Sequence, residues 1–395
     1  METRARPMAA GMLWYSLLVL CGGGLLLAWM PERIAWSVFE ALVFALLLAW
    51  TAGWATGKFR AGWSFLFLPL LGVTAWGALQ VWMGWSAYRF ATETDTVRWG
   101  CYFAILFLAY QLSGVPGSGR AFRRVFTTYA LALAVISVLQ LFAGNGKIYW
   151  LFRPAEPAGL GPFLNYDHYA SFVILALPAA AFDMVGHSRR RWFFVVATAA
   201  LYASVIASAS RAGFVLLTLE ALILFAMLGF RHRTVSAAAA LLVAFVLVVG
   251  WESLYARLRA PDPYHGRREV ASATVNMIRS NPWKGYGLGT WTEVYPAFAQ
   301  RDFGVFVNAA HNDWLQWWAD GGVPVVACLL LLVCGAIVTV PRAPWSMGVP
   351  FVFLHSLVDF PMQGRFLPAI VFLVLGVAAG KSRRNEAARP AARQI

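Results

Sequence analysis

The chain has 395 residues, of which 60% are hydrophobic and only 13% are charged. Soluble domains contain about 45–50% apolar and about 25% charged residues, so this composition excludes an ordinary soluble enzyme. The apolar residues fall in blocks of about 18–25, the length with which a helix crosses the roughly 30 Å hydrocarbon core of a bilayer. The sequence therefore predicts an all-α, polytopic membrane protein.

The formal net charge of +14 does not indicate nucleic-acid binding, because the basic residues lie in segments between the apolar blocks. This is the distribution that orients membrane helices. The four cysteines lie within apolar runs without metal-ligand spacing, and we interpret them as small buried hydrophobes. No cleavable signal peptide is predicted, since the first apolar run is long enough to span.

In chain order, the hydrophobic pattern predicts about twelve transmembrane helices and one long, partly helical outer loop, 252–312. The predicted spans are residues 11–30, 34–53, 63–82, 97–114, 122–144, 168–186, 191–209, 211–230, 234–251, 313–340, 346–361 and 365–380. An even number of spans places both termini on the same side of the membrane.

Lysine and arginine residues in the short loops indicate which side this is. With a cytoplasmic N-terminus, most of them face the cytoplasm, whereas the long loop is too long to count strongly in the positive-inside rule. The acidic residues Glu93 and Asp95 then fall in an outer loop before the fourth span. The outer segments of interest are 144–167, the turn at Ser210-Arg211, and the loop 252–312.

Arg211 opens the eighth predicted span directly after a tight turn. A cation at this depth costs a few kcal/mol unless it meets an anion or water. It either extends to the outer headgroups or binds an anion at a helix start, where free N–H groups favour negative charge. Gly213, two residues later, would allow a ligand or a neighbouring helix to approach closely.

The long loop contains a predicted helix from Arg267 to Asn281, with apolar residues at helical spacing. Pro282 ends this helix, and a glycine-rich turn, 285–289, follows it. The basic residues of the helix indicate either an amphipathic element lying on the membrane surface or an anion site. The glycine-rich turn is only a weak phosphate signal, because no strand precedes it.

His311 lies where the long loop enters the tenth span, beside Asn312 and Asp313. A histidine in this position is either structural or a base near neutral pH, with the neighbouring aspartate orienting its ring.

Two further groups of polar residues stand at predicted span ends. Asn165, Asp167 and His168 lie at the start of the sixth span, where they are predicted to cap the helix. His355 and Asp359 lie four residues apart, hence on one helix face, and are expected to pair with each other. No zinc or magnesium constellation is visible in the sequence.

An ordered set of motifs resembles the superfamily of O-antigen ligases, O-antigen polymerases and O-linked oligosaccharyltransferases. The matching segments are Gly161–His168, Ser210–Gly213, Arg267 followed by Pro282 and Gly285-Tyr286-Gly287, and His311–Gln316 through Gly321. The resemblance divides the chain into N-terminal helices (1–159), a ligase-like core with the long loop (160–325), C-terminal helices (326–380) and a basic cytoplasmic tail (381–395).

The resemblance implies a glycosyltransferase of the bacterial inner membrane. It would move a glycan from undecaprenyl pyrophosphate to an acceptor hydroxyl at the periplasmic face, with inversion. The implied catalytic residues are Arg211 and Arg267, which hold the pyrophosphate, and His311, which receives the hydroxyl proton. The implied substrate-binding residues are Ser210, Arg268, Asn165, His168, Tyr286, Gly287, Asn312 and Asp313.

The implied partners are the lipid-linked donor, a lipid A–core or glycan acceptor, and membrane lipids. No cofactor and no metal is expected, since the arginines take the part that a metal usually plays. Alternative functions remain open: a repeat-unit polymerase, a transferase directed at a protein serine, a non-catalytic partner in polysaccharide export, or a transporter. The transporter is disfavoured because the charge gathers in one outer loop and not near the bilayer midplane.

Overall fold

The computed structural model describes residues 2–30, 33–114, 117–154, 159–186, 190–229, 232–259 and 265–388. Within these ranges the regular structure is helical, and two isolated β-bridges are the only extended pairings. The predicted all-α class is therefore confirmed.

Fifteen α-helices follow one another along the described part of the chain. They are α1 (Glu2–Leu26), α2 (Arg33–Ala55), α3 (Phe67–Trp82), α4 (Arg89–Leu112), α5 (Ser118–Ala143), α6 (Tyr166–Val185), α7 (Arg191–Ser208), α8 (Arg211–Leu228), α9 (His232–Val249), α10 (Glu252–Arg259), α11 (His265–Ser280), α12 (Trp291–Val294), α13 (Asp313–Thr339), α14 (Gly348–His355) and α15 (Phe366–Ala388).

Seven of these helices are long and apolar enough to cross a membrane: α1, α2, α5, α6, α7, α8 and α13. Helix α9 becomes an eighth when it is joined to α10, from which it is bent by 83°. Helices α3 and α15 contain shorter apolar stretches. The protein is thus a polytopic membrane protein, although length and composition do not identify all twelve predicted spans.

Helix α6 lies at the centre of the bundle. Nearly all of its side chains are buried, between α5, α7, α8 and α14. Helix α15 packs along α4 on the other side. Cys21 and Cys101 are free and buried, as predicted, whereas Cys334 is free but lies on an exposed helix surface. An exposed thiol on an apolar helix is compatible with contact to lipid.

Helix α4 begins at Arg89 and not at residue 97, which corrects the predicted outer loop before the fourth span. Asp95 is buried inside this helix and forms an ion pair with Arg98 at 2.8 Å. The sequence places these acidic residues in an outer loop, but within the fold they lie on a helix, where Asp95 pairs with the half-buried Arg98 and Glu93 pairs with Arg89.

The eleventh predicted span, 346–361, is also different in the structure. Helix α14 has only eight residues, about 12 Å at 1.5 Å per residue, which is too short to cross a bilayer alone. Trp345 packs on Phe122 at the start of α5, with ring centroids 5.8 Å apart, and His355 bonds Ser171 near the start of α6. The chain therefore returns along α6 by turns and a half-length helix, which is tolerated where protein buries the backbone.

In its described part, the range 252–312 that was predicted as a long outer loop contains three α-helices, α10, α11 and α12. A second, smaller hydrophobic core fixes α11 and α12 above one end of α13. It includes Val270, Met277, Trp291 and Tyr295. This packing gives the arginines of α11 a defined position relative to the membrane helices.

Candidate active site

Asp167 joins three helices at one end of the bundle. It lies in the first turn of α6, where Asn165 caps the helix by accepting a hydrogen bond from the Asp167 N–H at 2.7 Å. One carboxylate oxygen of Asp167 accepts a short hydrogen bond from Ser210 Oγ, at the start of α8. The other lies 3.5 Å from Nη2 of Arg267, on α11. Two motifs that are distant in sequence, Ser210-Arg211 and Arg267, thus meet at one carboxylate.

Arg267 is held by two further groups from the segment that follows α14. Its Nη1 donates to the Val358 carbonyl at 3.0 Å, and its Nη2 lies 3.1 Å from Oδ2 of the buried Asp359. Burial, and then the Asp167 carboxyl group beside it, raise the pKa of Asp359 well above its usual range, so Asp359 keeps a proton more readily than Asp167 does. The acid pair therefore balances about one positive charge, that of the guanidinium.

Arg211 follows Ser210 and begins α8. Ser210 Oγ accepts a hydrogen bond from the Gly213 N–H at 3.0 Å and so caps the helix. The Arg211 guanidinium donates to the Arg257 carbonyl of α10 at 3.2 Å. A Cβ atom at Gly213 would collide with Ala170 of α6, so the glycine allows the two helices, and not a ligand, to approach closely.

His311 lines a cavity near Arg267 and Asp167, whose charges both act on its ring. Its ring lies edge-on to Phe360, with centroids 4.7 Å apart, and the His168 ring contacts the same Phe360 at 4.8 Å. Nδ1 of His311 is buried and has no hydrogen-bond partner in the described structure. Burial, and then the positive charge of Arg267, lower the pKa of His311 to about 4. The imidazole is therefore neutral at physiological pH.

Asp313 does not orient the His311 ring, which corrects the expectation from their adjacency. Its carboxylate instead accepts hydrogen bonds from the Met362 N–H at 3.0 Å and from Gln363 Nε2 at 3.1 Å. Asn312 caps α13 and donates to the Leu357 carbonyl at 2.6 Å. Both side chains thus hold the segment 356–363, which carries Asp359 and Phe360, against the start of α13.

His355 and Asp359 do not pair with each other, contrary to the expectation from their spacing. His355 Nδ1 bonds Ser171 of α6 at 2.7 Å, whereas Asp359 bonds Arg267. Helix α14 ends at His355, so Asp359 follows in a turn and faces a different element.

The glycine-rich turn 285–289 lies against a break in α13. Gly322 interrupts that helix with a backbone φ of 66° and ψ of −167°, a conformation that favours glycine. The turn supplies hydrogen bonds to the carbonyl groups that the break exposes. The N–H groups of Tyr286, Gly287, Leu288 and Gly289 donate to Ala319 O, Asp320 O, Gln80 Oε1 and Asp320 Oδ2, respectively, at 2.9–3.2 Å. These four donors are consequently occupied within the protein and are not open to a phosphate.

Gln80 is a buried residue of α3 that sequence reasoning did not identify. Besides accepting from Leu288, its Nε2 donates to the Lys284 carbonyl at 2.7 Å and to the Asp320 carbonyl at 3.0 Å. It therefore joins the turn, the broken helix and the bundle. The sequence around Gln80 contains no pattern that predicts its role, because its hydrogen-bond partners come close to it only when the chain folds.

We expect Gln80→Met to increase hydrogen exchange of the backbone amides in residues 284–289 by at least about tenfold. The apolar side chain leaves buried polar groups unpaired, at a cost of about 1–3 kcal/mol each. Hydrogen-exchange mass spectrometry of the purified protein measures this. Gln111→Met is the matched control, since Gln111 makes a similar pair of bonds to Gly62 at a different loop. Equal protection of the turn in both variants would contradict the assigned role.

The remaining predicted residues occupy different surroundings. Arg268 is exposed on α11, next to Arg267. Asn165, His168 and His311 line one cavity of about 530 Å³. Within the part of the chain that the structure describes, no group of three or more His, Cys, Asp or Glu side chains could hold a metal ion.

The structure brings together Ser210, Arg267 and His311, with Arg211 at the adjacent helix start. It adds two carboxyl groups, Asp167 and Asp359, which the sequence indicated only as weaker candidates, for a helix cap and for a pair with His355. The fold and the site together define a class: an all-helical, polytopic membrane protein with a cluster of arginine, carboxyl and histidine side chains at one end of its helices.

Residues 193–330 match a family model described as O-antigen ligase. The matched stretch runs from α7 into α13 and includes Ser210, Arg211, Arg267 and His311. The resemblance to the O-antigen ligase superfamily is thereby confirmed. The match supports a glycosyltransferase-like enzyme of O-antigen synthesis, integral to the bacterial inner membrane. No curated protein matches the chain.

Proposed function

We propose that the protein transfers a glycan from undecaprenyl pyrophosphate to an acceptor hydroxyl at the periplasmic face, with inversion at the anomeric carbon and without a metal. The convergence of Arg267, Ser210 and His311 around Asp167 carries this proposal. It unites a cationic group suited to a pyrophosphate with a neutral base suited to a hydroxyl. The excess of basic residues in the opposite short loops supports the periplasmic placement.

The donor's pyrophosphate is the leaving group and carries its own negative charge. It therefore needs cations more than a general acid, and the stabilisation comes from charges already in place before reaction. Arg267 and Arg211 supply two guanidinium groups, whose planar geometry suits bidentate phosphate contacts. Arriving phosphate oxygens replace Asp359 at the Arg267 guanidinium, and the raised pKa of Asp359 keeps the released acid pair from carrying two charges.

His311 receives the proton of the acceptor hydroxyl as that oxygen attacks the anomeric carbon. The new C–O bond forms as the bond to the pyrophosphate oxygen breaks, and the proton passes to the free Nδ1. The charge of Arg267 is one cause of the low pKa of His311. A bound pyrophosphate that neutralises Arg267 raises this pKa, so donor binding makes the base stronger when it is needed.

An apolar groove of about 780 Å³ supports a lipid-linked donor. It runs between α8, α13 and α14, and its lining includes Ile223, Trp314, Leu330 and Leu354. Asn312, the neighbour of His311, also lines the groove, which therefore reaches the site. A surface of this kind suits an isoprenoid tail, which buries only hydrocarbon.

We expect kcat/KM for the donor to be nearly independent of pH between 5 and 7. The neutral, proton-accepting form of His311 is present above its pKa of about 4 and is lost only as the pH falls through that value. A base of pKa about 4 changes the rate by about 1.1-fold over this range, whereas an unshifted histidine changes it by about 25-fold. A steep fall in kcat/KM near pH 6.5 would count against the assignment.

The function itself is tested with purified protein, an undecaprenyl-pyrophosphate-linked glycan and lipid A–core, in the presence of EDTA. Glycan-bearing lipid A–core is the expected product. In a deletion strain, lipopolysaccharide without long glycan, with polymer accumulating on the carrier lipid, identifies a ligase. Lipopolysaccharide that carries a single repeat identifies a polymerase instead. Absence of transfer by folded protein, both to lipid A–core and to a second lipid-linked repeat, would overturn the proposal.

A further inference from the structure

A short hairpin after α5 presents apolar side chains to its surroundings. Its two sides meet at an antiparallel bridge between Ile148 and Phe152, and we call residues 147–153 the apolar hairpin. Ile148 is buried, whereas Leu151 in the turn is 74% exposed. Trp150 and Phe152, on either side of Leu151, are 41% and 45% exposed. A contiguous group of large, exposed apolar side chains indicates a contact with an apolar surface.

The backbone of the apolar hairpin holds these side chains in a defined arrangement. Tyr149 and Trp150 have backbone φ angles of 51° and 60°, a left-handed conformation that is uncommon for bulky residues. Such a conformation persists where the surrounding contacts fix it. Here the Tyr149 N–H donates to Gln140 Oε1 at 2.8 Å, and the Tyr149 hydroxyl donates to the Leu26 carbonyl at 2.9 Å. The hairpin is therefore preformed.

The apolar hairpin lies at the end of a helix surface that faces lipid. Helix α1 is long and apolar enough to cross a membrane. One exposed face of this helix carries, at helical spacing, Met12, Tyr15, Val19 and Leu26. Just beyond the helix, Trp29 stacks on Phe152 of the hairpin, with ring centroids 4.9 Å apart. The exposed apolar surface thus continues from a membrane span onto the hairpin.

The apolar hairpin is at the same end of the bundle as the candidate site. Ala28, just after α1, lines the cavity of about 530 Å³ that Asn165 and His311 also line. Gln140, which binds the hairpin, also donates to the Gly161 carbonyl at 3.2 Å, in the segment that leads into α6. A hairpin fixed in the membrane would therefore hold the start of α6 at a constant depth.

Two cations flank the exposed apolar side chains. Lys147 begins the hairpin and is half-buried, while Arg153 ends it and is exposed. Apolar side chains at the acyl-chain boundary, with basic side chains at the headgroups, are typical of segments that lie in an acidic lipid surface. Lipid phosphates would attract both cations at the depth where the apolar side chains enter the leaflet. The hairpin therefore suits acidic lipid better than a purely apolar protein partner.

We infer that the apolar hairpin is a lipid-binding element. It inserts its three exposed apolar side chains into the leaflet beside the candidate site, while Lys147 and Arg153 bind acidic phospholipid headgroups there. This inference does not depend on glycan transfer. Its consequence for a reaction at the site is positional, because the hairpin sets the depth at which the start of α6 meets lipid-linked substrates.

The first test measures insertion with a bimane label at Leu151→Cys, in the full-length protein reconstituted into vesicles that contain phosphatidylglycerol. Cys328→Ala and Cys334→Ala remove the thiols that are not buried. A nitroxide on the lipid acyl chain should quench the label. Aqueous iodide should quench it at least about threefold less than a label at the exposed Gln300→Cys. Val19→Cys, at a position of α1 that is also 74% exposed, is the lipid-facing reference.

The second test examines the headgroups. The Leu151→Cys label is compared in vesicles with nitroxide-bearing phosphatidylglycerol and in vesicles with the same content of nitroxide-bearing phosphatidylcholine. The acidic lipid should quench at least about twofold more strongly, and Lys147→Gln combined with Arg153→Gln should remove this difference. Arg89→Gln combined with Arg279→Gln, at exposed arginines outside the hairpin, is the matched control and should keep it.

Three results would contradict the inference. Iodide quenching at Leu151→Cys as strong as at Gln300→Cys would place the hairpin in water and overturn it. Protection from iodide without quenching by the lipid nitroxide would assign the hairpin to a protein contact and overturn it as well. Equal quenching by the two lipids would refute headgroup binding by Lys147 and Arg153. These readouts do not involve transfer, so the inference and the proposed function fail separately.

Discussion

Replacing Arg267 with alanine is expected to lower kcat/KM for glycan transfer by about 10²–10³-fold. A preorganised donor aimed at charge that develops in the transition state contributes an effect of this size. Arg267 lies on α11 and contacts both α6 and the turn after α14. These contacts hold its guanidinium in place within the site. The measurement is a transfer assay with purified protein and a lipid-linked glycan.

The choice of variants separates loss of chemistry from loss of folding. Alanine leaves Asp167 and Asp359 without their cation, and breaking a buried ion pair can cost about 3–5 kcal/mol. Arg267→Lys keeps the charge but not the fork of donors, so we expect a stable protein that has recovered only part of the activity. Arg279→Ala, on the exposed side of the same helix, is the matched control and should retain full activity.

Two results would contradict this role for Arg267. Full activity in Arg267→Lys would show that a point charge suffices and that the bidentate geometry is irrelevant. Full activity in Arg267→Ala, in protein that elutes as folded material, would remove Arg267 from the mechanism altogether.

Replacing His311 is expected to lower kcat by about 10²–10⁴-fold, the usual contribution of a positioned general base. His311→Asn is the most informative variant because His311 has a backbone φ of 52°. Asparagine tolerates this left-handed conformation better than most residues, so the turn before α13 should survive. The variant then removes the imidazole without disturbing the backbone that positions it.

Donor binding provides the control for the His311 variant. Because Arg211 and Arg267 remain, the affinity for undecaprenyl pyrophosphate should change less than about threefold. A kcat within about tenfold of wild type would show that the hydroxyl needs no base at this position. A large loss of donor affinity would instead assign His311 to pyrophosphate binding.

The order of the amino acids by itself determined the class of this protein and part of its site. Long, uninterrupted apolar blocks are stable when they are surrounded by lipid, and for this reason α1, α2, α5 and α13 could be predicted as membrane spans. Helix α11 was predictable because its apolar residues repeat at helical spacing before Pro282. Ser210, Arg211, Arg267 and His311 were recognisable because they stand in ordered motifs.

Only the tertiary structure decided how polar groups inside the bundle are satisfied. The charged residues before position 97 were predicted to lie in an outer loop, but in the structure they begin helix α4, where Asp95 pairs with Arg98. Asp359 was expected to face His355, yet the early end of α14 directs it to Arg267. The glycines of the turn at 285–289 are a weak phosphate signal in the sequence, but its N–H groups donate to Ala319, Asp320 and Gln80. Hydrogen-bond partners hundreds of residues apart leave no periodic trace in a sequence, because they depend on the packing of whole helices.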